Sequence, residues 1–262
     1  MSGDLLLLRD GPVATVVINR PEQRNAISHA MWLAFPGLLD EAARDDAVRV
    51  VVLAGAGDKA FSAGADIKDF EETRSTPERA RNYRGAVDAA CEALGALPKP
   101  TIASIRGYCL GGGFELALYA DIRIAASDAQ FGLPAAKRGI VIAHTHVDRA
   151  MRLAGAGAAS YLLISGRNIS AQQALAAGLL SAVVEPDGLA DETAALAGEI
   201  AELSPVSHRF HKGVVRDLIE FGTAAQVPRE RRDALRSTEA SEDFLEGVRS
   251  FQEKRKPNFP GR

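Results

Sequence analysis

Two short glycine-rich segments carry the residue types best suited to stabilising negative charge on an oxygen atom. Residues 61–66 read FSAGAD and residues 107–115 read GYCLGGGFE. The second segment follows an apolar run at residues 101–105 and precedes a helical pattern at residues 115–120, so its glycines are expected where a strand turns into a helix. Backbone N–H groups at a helix N-terminus lack intrahelical acceptors and lie at the positive end of the helix dipole. The pattern predicts backbone donors for an oxyanion, and Glu115 adds a side chain that can carry a proton.

The elements that must position these segments belong to an α/β fold. Residues 48–53, 101–105 and 122–125 form short, nearly all-apolar runs that are separated by helical or loop sequence. Such runs are typical of buried, parallel strands with covering helices. Ahead of them, residues 5–8 and 13–18 are two β-like runs separated by Asp10-Gly11, which predicts a hairpin.

Helix boundaries are marked by capping residues. Ser28 is a suitable N-cap for a helix from His29, which Pro36 should kink. Thr76 followed by Pro77 predicts the start of a helix that runs to about residue 97. Residues 170–173 read SAQQ, a capping box that opens a further helix.

The chain is predicted to divide at about residue 188. Residues 1–188 form the α/β core, and the pattern from residue 189 to 262 is almost wholly helical, with breaks at residues 204–205 and 227–228. The helical region is too small to bury a core alone, so it needs its own body or a neighbouring subunit to pack on.

Composition excludes several classes of function. The chain has 262 residues, a formal net charge of −3 and 47% hydrophobic residues, with no basic footprint for nucleic acid. No apolar stretch reaches the length needed to cross a membrane, and residues 5–8 are too short for the core of a secretion signal. The two cysteines fit neither a disulfide framework nor a metal site, so we expect a reducing compartment, the cytoplasm, and no bound metal.

The ordered set of motifs resembles the enoyl-CoA hydratase/isomerase, or crotonase, family. Matching segments are residues 19–21, 25–26, 59–68, 107–115, 120–121, 131–134, 170–171 with 174 and 177–179, and 251 with 253–256. The resemblance implies the crotonase (ClpP-like) superhelix of ββα turns, with a C-terminal helical region that builds homotrimers, often paired into hexamers. It also implies coenzyme A thioester substrates of fatty acid metabolism, with no cofactor beyond the coenzyme A that the substrate carries.

Family roles can be carried over to positions of this sequence. Ala65 and Gly112 match the two residues whose N–H groups hold the thioester carbonyl, and Glu115 matches the first of a hydratase's two acid/base carboxylates. Lys254 matches a basic position near the coenzyme phosphates, where it can serve a neighbour's site. The resemblance places further substrate or coenzyme A contacts at Ala26, Ala63, Asp66, Ile67, Lys68, Gly111, Leu133, Pro134 and Ala135.

The chain departs from the hydratase pattern on the water-activating side of the site. Ala135 stands where a hydratase has its second glutamate, and residues 142–147 read IAHTHV in place of a glycine-rich loop that helps to hold the attacking water. Proton abstraction beside a thioester carbonyl needs only one base and the oxyanion donors. The expected function is therefore hydration, dehydration or double-bond isomerisation through an enolate. A hydrolase or decarboxylase of the same fold and a non-catalytic acyl-CoA-binding homologue remain alternatives.

Two polar segments leave further hypotheses open. His144 and His146 can replace the lost carboxylate as acid or base, or they can be polar residues of a repacked loop. If the segment is extended, both rings face the same way and a metal is a third interpretation. Residues 67–76 are strongly polar and predict a mobile loop over a ligand cleft, and residues 70–83 are expected to shape the acyl pocket.

Overall fold

The computed structural model describes residues 3–262, apart from the side chains at positions 235 and 236. Within that part of the chain, a six-stranded sheet has the order β1-β2-β3-β5-β7-β10 and a four-stranded sheet has the order β4-β6-β8-β9. The strands are β1 (Leu5–Asp10), β2 (Val13–Ile18), β3 (Val50–Gly55), β4 (Ala60–Ser62), β5 (Thr101–Ile105), β6 (Tyr108–Leu110), β7 (Ile122–Ala126), β8 (Gln130–Gly132), β9 (Ile169–Ser170) and β10 (Ala182–Val184).

The predicted hairpin and parallel sheet are both present. β1 pairs antiparallel with β2, and Asp10 faces Val13 across the turn. The remaining pairs of the larger sheet are parallel. In the smaller sheet β4, β6 and β8 are parallel, and β9 is antiparallel to β8. The sheet therefore has the buried, parallel character that the apolar runs indicated.

Helices cover the sheets and form the C-terminal part of the chain. They are α1 (His29–Arg44), α2 (Phe70–Arg74), α3 (Pro77–Ala96), α4 (Gly112–Ala117), α5 (His144–Ser165), α6 (Ala171–Ala176), α7 (Leu189–Ala201), α8 (Pro205–Phe221), α9 (Arg229–Ala234) and α10 (Glu242–Gln252). The predicted caps are confirmed. Ser28 accepts a hydrogen bond from the Met31 N–H, Thr76 caps α3, and the capping box at Ser170 opens α6.

The strands are apolar on both faces because each face is covered. Val51 and Leu53 of β3 join the main core, which contains the fully buried aromatic residues of α1 and α3. Val50 and Val52 point to the other face, where they pack with Leu189 of α7. α7 thus completes a layer on the sheet, and the division of the chain at residue 188 stays a prediction.

The C-terminal helices are joined to one another by a buried carboxylate. Asp243 is 2% exposed. Its Oδ2 accepts hydrogen bonds from the Ser204 hydroxyl at 2.6 Å and the Val206 N–H at 3.1 Å, and its Oδ1 accepts one from the Gly261 N–H at 2.7 Å. On the outer side, α10 leaves apolar side chains largely exposed: Phe244, Leu245, Val248 and Phe251.

The prediction of a loop at residues 67–76 is wrong. A 3₁₀ turn at Ile67–Asp69 leads directly into α2. The Asp66 carboxylate accepts from the Lys68 N–H at 3.1 Å and starts the turn, and Asp69 accepts from the His29 N–H at 2.7 Å, which ties the segment to α1. Local capping by aspartate side chains therefore gives helical structure to a segment whose polarity alone suggested a loop.

Two further boundaries differ from the expectation. α4 begins at Gly112, three residues before the predicted start, and the segment with the two histidines is the first turn of α5. None of the helices among the described residues combines the length and the apolar character needed to cross a membrane.

Candidate active site

The two glycine-rich segments meet at a very short separation. Gly64 has a φ of +99°, and a Cβ at this position would lie 2.8 Å from the Leu110 carbonyl oxygen. A Cβ at Gly113 would lie 2.4 Å from the Ser62 Cβ. Side chains at these two positions would push the segments apart, so glycine is required for the close contact between them.

The backbone N–H groups of Ala65 and Gly112 are free to bind a ligand. On either side of Ala65, the Ile27 N–H donates to the Gly64 carbonyl and the Asp66 N–H donates to the Ile27 carbonyl. Gly112 is the first residue of α4. In the described part of the chain neither N–H has an acceptor. The Cβ position at Gly112 lies 3.6 Å from the Ala65 nitrogen, so the two amides are neighbours and can converge on one oxygen.

Both amides open into a cavity of about 110 Å³ that also holds Glu115. Its lining is Trp32, Ala63, Gly64, Ala65, Ile67, Phe70, Arg74, Val87, Gly111, Gly112, Glu115, Pro134, Ala135, Arg138 and Ile140. Most of the positions carried over from the family motifs therefore meet here. The wall is largely apolar with a few polar groups, as is usual for small-molecule sites.

Glu115 lies in the first turn of α4 with only 13% of its side chain exposed. Burial raises the pKa of this carboxyl above its ordinary value, and electrostatic interactions with His146 and Arg74 partly offset that effect. A raised pKa means that the carboxylate binds a proton more tightly. Glu115 is therefore a better proton acceptor than an exposed carboxylate. Glu115 has the placement and the electrostatics of an acid/base residue.

His146 lies directly behind Glu115. It is 3% exposed, and its Nε2 lies 3.0 Å from Asp88 Oδ1 and 3.8 Å from Glu115 Oε2. Its Nδ1 lies 3.1 Å from the Tyr119 hydroxyl. No motif in the sequence pointed to Asp88, which is on α3. His146 does not line the cavity, so the structure places it as a partner of Glu115.

His144 does not share this position. It is exposed at the first turn of α5, and helical geometry turns residues two apart to nearly opposite sides. The extended segment that would turn both rings the same way is absent, because the segment is helical. Among the described residues, no group of three histidine, cysteine or acidic side chains is placed to hold a metal.

An aromatic wall on one side of the cavity was not predicted. Trp32 is completely buried, and its Nε1 donates to the Tyr83 hydroxyl at 3.1 Å. The Arg74 guanidinium lies over the Phe70 ring at 4.0 Å and over the Tyr83 ring at 3.9 Å from the centroids. Phe70 and Arg74 fall within the range expected to shape the acyl pocket. Trp32 was missed because an aromatic residue on an amphipathic helix has the same pattern as any core residue.

Several carried-over positions lie outside the cavity. The Asp66 carboxylate is buried and pairs with Arg20 Nη1 at 2.9 Å, and the same nitrogen donates to the Ala26 carbonyl at 2.8 Å. These contacts hold the backbone on which Ala65 lies. Leu133 is buried, whereas Lys68 and Lys254 are exposed on the surface. Their roles toward coenzyme A remain predictions.

Ala135 lines the same cavity as Glu115. It lies in a 3₁₀ turn, Pro134–Arg138, directly after β8. A methyl group at this position contributes neither a proton donor nor an acceptor. At this position the cavity wall carries a methyl group, and its consequence for the reaction stays a prediction.

Comparison with known proteins gives consistent results. A model of the enoyl-CoA hydratase/isomerase family matches residues 9–262. The chain is 34% identical to the short-chain-enoyl-CoA hydratase of Clostridium acetobutylicum, over 97% of this chain and 96% of that protein. It is 37% identical to the carnitinyl-CoA dehydratase of Salmonella arizonae over the full length of both. A crystal structure described as an enoyl-CoA hydratase/carnithine racemase from Magnetospirillum magneticum is 36% identical, with a TM-score of 0.94, over 100% of this chain and 97% of that chain. The likeness confirms the crotonase fold.

Proposed function

Because this chain belongs to the enoyl-CoA hydratase/isomerase family, we propose that it is an enzyme that moves a proton beside the carbonyl of an acyl-CoA thioester. The observation that supports this most directly is the meeting of the Ala65 and Gly112 N–H groups, both without acceptors among the described residues, with Glu115 in one cavity. Donors for a developing oxyanion and a single buried base are the minimum for enolate chemistry.

The mechanism follows from the positions of these groups. The thioester carbonyl accepts hydrogen bonds from the Ala65 and Gly112 N–H groups, and Glu115 takes the proton from the α-carbon. The negative charge then develops on the carbonyl oxygen, where each donor contributes roughly 3 kcal/mol of transition-state stabilisation. Glu115 returns the proton to the α-carbon or to another carbon of the conjugated system, so one carboxyl group suffices for isomerisation.

Ordinary two-carboxylate hydration is disfavoured by the methyl group of Ala135. Hydration needs one group to activate water and another to protonate carbon. We propose isomerisation or reversible α-proton exchange as the main activity, with dehydration where the leaving group is already activated. Hydration of an unactivated enoyl thioester should be slow.

His146 and Asp88 are proposed to tune and relay the proton of Glu115. The chain of contacts runs from Glu115 to His146 at 3.8 Å and on to Asp88 at 3.0 Å, and Asp88 is 38% exposed. His146 acts through Glu115 and not on the substrate, so it is a positioning residue. His144 is exposed on the opposite side of the helix, and we assign it no part in the reaction.

The reaction type is tested with a small set of thioesters. Butyryl-CoA in D₂O reports α-proton exchange, 3-butenoyl-CoA reports isomerisation, and crotonyl-CoA reports hydration. Exchange and isomerisation that are both faster than hydration support the proposal. Release of free coenzyme A would indicate a hydrolase, loss of CO₂ from a malonyl-type thioester a decarboxylase, and binding without any turnover a non-catalytic homologue.

The relay is tested by opposite shifts in pH dependence. The charge of His146 lowers the pKa of Glu115, and the charge of Asp88 raises it. Since Glu115 acts as a base when ionised, His146→Gln should move the rise in activity to higher pH, and Asp88→Asn should move it to lower pH. Asp148→Asn is the matched control, because Asp148 forms a surface pair with Arg152. Two shifts in the same direction would contradict the proposed roles.

A homotrimer, or a hexamer of two trimers, is proposed as the assembled state. α10 leaves four large apolar side chains largely exposed, which is unusual for a surface that faces only water. In such an assembly Lys254, exposed just after α10, would approach the coenzyme phosphates of a neighbouring site. Light scattering at low concentration tests the state, and a monomeric mass would refute it.

A further inference from the structure

Arg74 is a cation in the wall of the cavity that lacks an anionic partner. It lines the cavity together with Glu115. Its Nε is buried and has no hydrogen-bond partner, and among the described residues no carboxylate oxygen lies within 4.0 Å of its guanidinium. A buried polar group without a partner is rare in folded proteins and calls for an explanation.

Arg20 and Arg123 show how buried arginines of this chain are satisfied, and Arg106, whose Nε also lacks a hydrogen bond, lies near the carboxylates of Asp128 and Asp187. Arg20 pairs with Asp66 at 2.9 Å and donates to the Ala26 carbonyl. Arg123 donates to two backbone carbonyls, at 2.6 and 2.5 Å. Arg74 differs from Arg20 and Arg123, because its Nε has no partner and its guanidinium contacts aromatic rings and the Tyr83 hydroxyl in place of a carboxylate.

The guanidinium of Arg74 is held in place by aromatic rings. It lies between Phe70 and Tyr83, with its central carbon 4.0 and 3.9 Å from the ring centroids. Tyr83 is fully buried and is fixed in turn by the Trp32 Nε1 hydrogen bond. The two ring planes stand at 76° to each other and hold the guanidinium by cation–π contacts, while its Nε–H remains without an acceptor. An arginine with an unused donor can bind a carboxylate by charge-assisted hydrogen bonds.

Glu115 is not the missing partner of Arg74. The nearest cation to the Glu115 carboxylate is His146 at 3.8 Å, and Arg74 lies beyond the distance of an ion pair. An arginine that served only to neutralise Glu115 would contact it directly. The cavity instead carries a base on one side and a free, preorganised cation on another.

We propose that Arg74 binds a carboxylate carried by the acyl chain of the substrate, so that the preferred substrates are thioesters of dicarboxylic acids. This inference rests on the proposed function of the cavity as an acyl-CoA site. Glu115 must lie beside the α-carbon to act on it, so a cation in the same small cavity faces the acyl group. The coenzyme phosphates are separated from the thioester by the whole pantetheine chain and are not suited to this position.

The experiment compares three saturated acyl-CoA thioesters of equal chain length that end in a carboxylate, a methyl group or a quaternary ammonium. Binding is measured by calorimetry, and kcat/KM is measured for α-proton exchange. The wild-type protein should prefer the carboxylate to the methyl end and the methyl end to the ammonium. In Arg74→Met the preference for carboxylate over methyl should fall by roughly 30-fold or more, as expected when one partner of a buried charge pair is removed.

Two further variants separate recognition from effects on the fold. Arg74→Lys keeps the charge but not the two-pronged edge, so it should retain part of the preference. Arg81→Met is the matched control, because Arg81 is exposed on α3 and does not line the cavity. It should keep the full preference.

Several outcomes would overturn the inference. One is a wild-type protein that binds the methyl-ended thioester as tightly as the carboxylate-ended one, and another is an Arg74→Met variant that loses affinity for all three thioesters equally. In both cases the enzyme still acts on acyl-CoA and only the carboxylate assignment fails. If no thioester binds or reacts, the proposed function itself fails, and the assignment of Arg74 fails with it.

Discussion

Replacing Glu115 with glutamine removes the proposed base and leaves its surroundings intact. The Glu115 carboxylate makes no hydrogen bond to another described residue, and its nearest charged neighbour is His146 Nε2 at 3.8 Å. The amide has nearly the same shape, so neither the Ala65 and Gly112 donors nor the cavity wall should move. Positioned acid/base groups contribute typically about 10²- to 10⁴-fold to rate, which corresponds to roughly 3 to 5 kcal/mol in the barrier.

We expect Glu115→Gln to lower kcat for α-proton exchange by about 10²- to 10⁴-fold. Thioester affinity should change by only a few-fold, because the oxyanion donors are backbone groups that the substitution does not touch. Exchange of the α-protons of butyryl-CoA in D₂O, followed by NMR, measures the first quantity, and calorimetry measures the second. The wild-type rate should also rise with pH through the raised pKa of Glu115.

The same substitution should affect stability in the opposite direction to activity. A carboxyl group whose pKa is raised on folding favours the folded state when protonated. That contribution is complete below the pKa of the unfolded chain and is lost as pH rises through the folded pKa. Glutamine does not ionise, so the Glu115→Gln variant does not lose stability in this way as pH rises. Near neutral pH it should be at least as stable as the wild type in urea unfolding. Full exchange activity in the folded variant would refute the assignment of Glu115.

Further predictions concern the residues that support the site and are all measured as the free energy of unfolding in denaturant. Gly113→Ala should destabilise the folded protein by about 1 to 3 kcal/mol or more, because the new Cβ would lie 2.4 Å from the Ser62 Cβ. The control Gly85→Ala has open space around the new Cβ and should be neutral or stabilising. Trp32→Phe should cost about 1 to 3 kcal/mol through the lost hydrogen bond to Tyr83. Asp243→Ala should cost about 3 kcal/mol and loosen the C-terminal helices, since three hydrogen bonds lose their acceptor.

The fold could be predicted from the sequence where local signals and burial agree. The strands Val13–Ile18 and Thr101–Ile105 have the predicted boundaries, because apolar runs bounded by turn residues leave little freedom in their assignment. The caps at Ser28 and Thr76 were predictable because each satisfies N–H groups that have no other acceptor. The polar segment at residues 67–76 was assigned wrongly, since its helical structure depends on aspartate contacts with backbone that polarity does not reveal.

The site was predictable where the backbone performs the chemistry and less so where side chains meet from distant parts of the chain. Ala65, Gly112 and Glu115 belong to continuous motifs, and they line one cavity. The contact between His146 and Asp88 joins α5 to α3, and no spacing in the sequence indicates it. The same holds for Arg74, whose importance depends on the absence of an ion-pair partner among the described residues. Only the assembled packing shows such a feature.

The proposed use of main-chain amides as oxyanion donors separates what can vary in this pocket from what cannot. Substituting Ala65 changes a side chain but retains its N–H, whereas Gly64 and Gly113 must stay glycine to keep the two donor segments in contact. Arg74 and Ala135 line the cavity without supplying these backbone donors, so changing their side chains should leave the donors in place. Directed evolution that randomises these wall positions should therefore yield new substrate preferences far more often than inactive proteins, and reintroducing glutamate at position 135 is the natural starting point for recovering water addition.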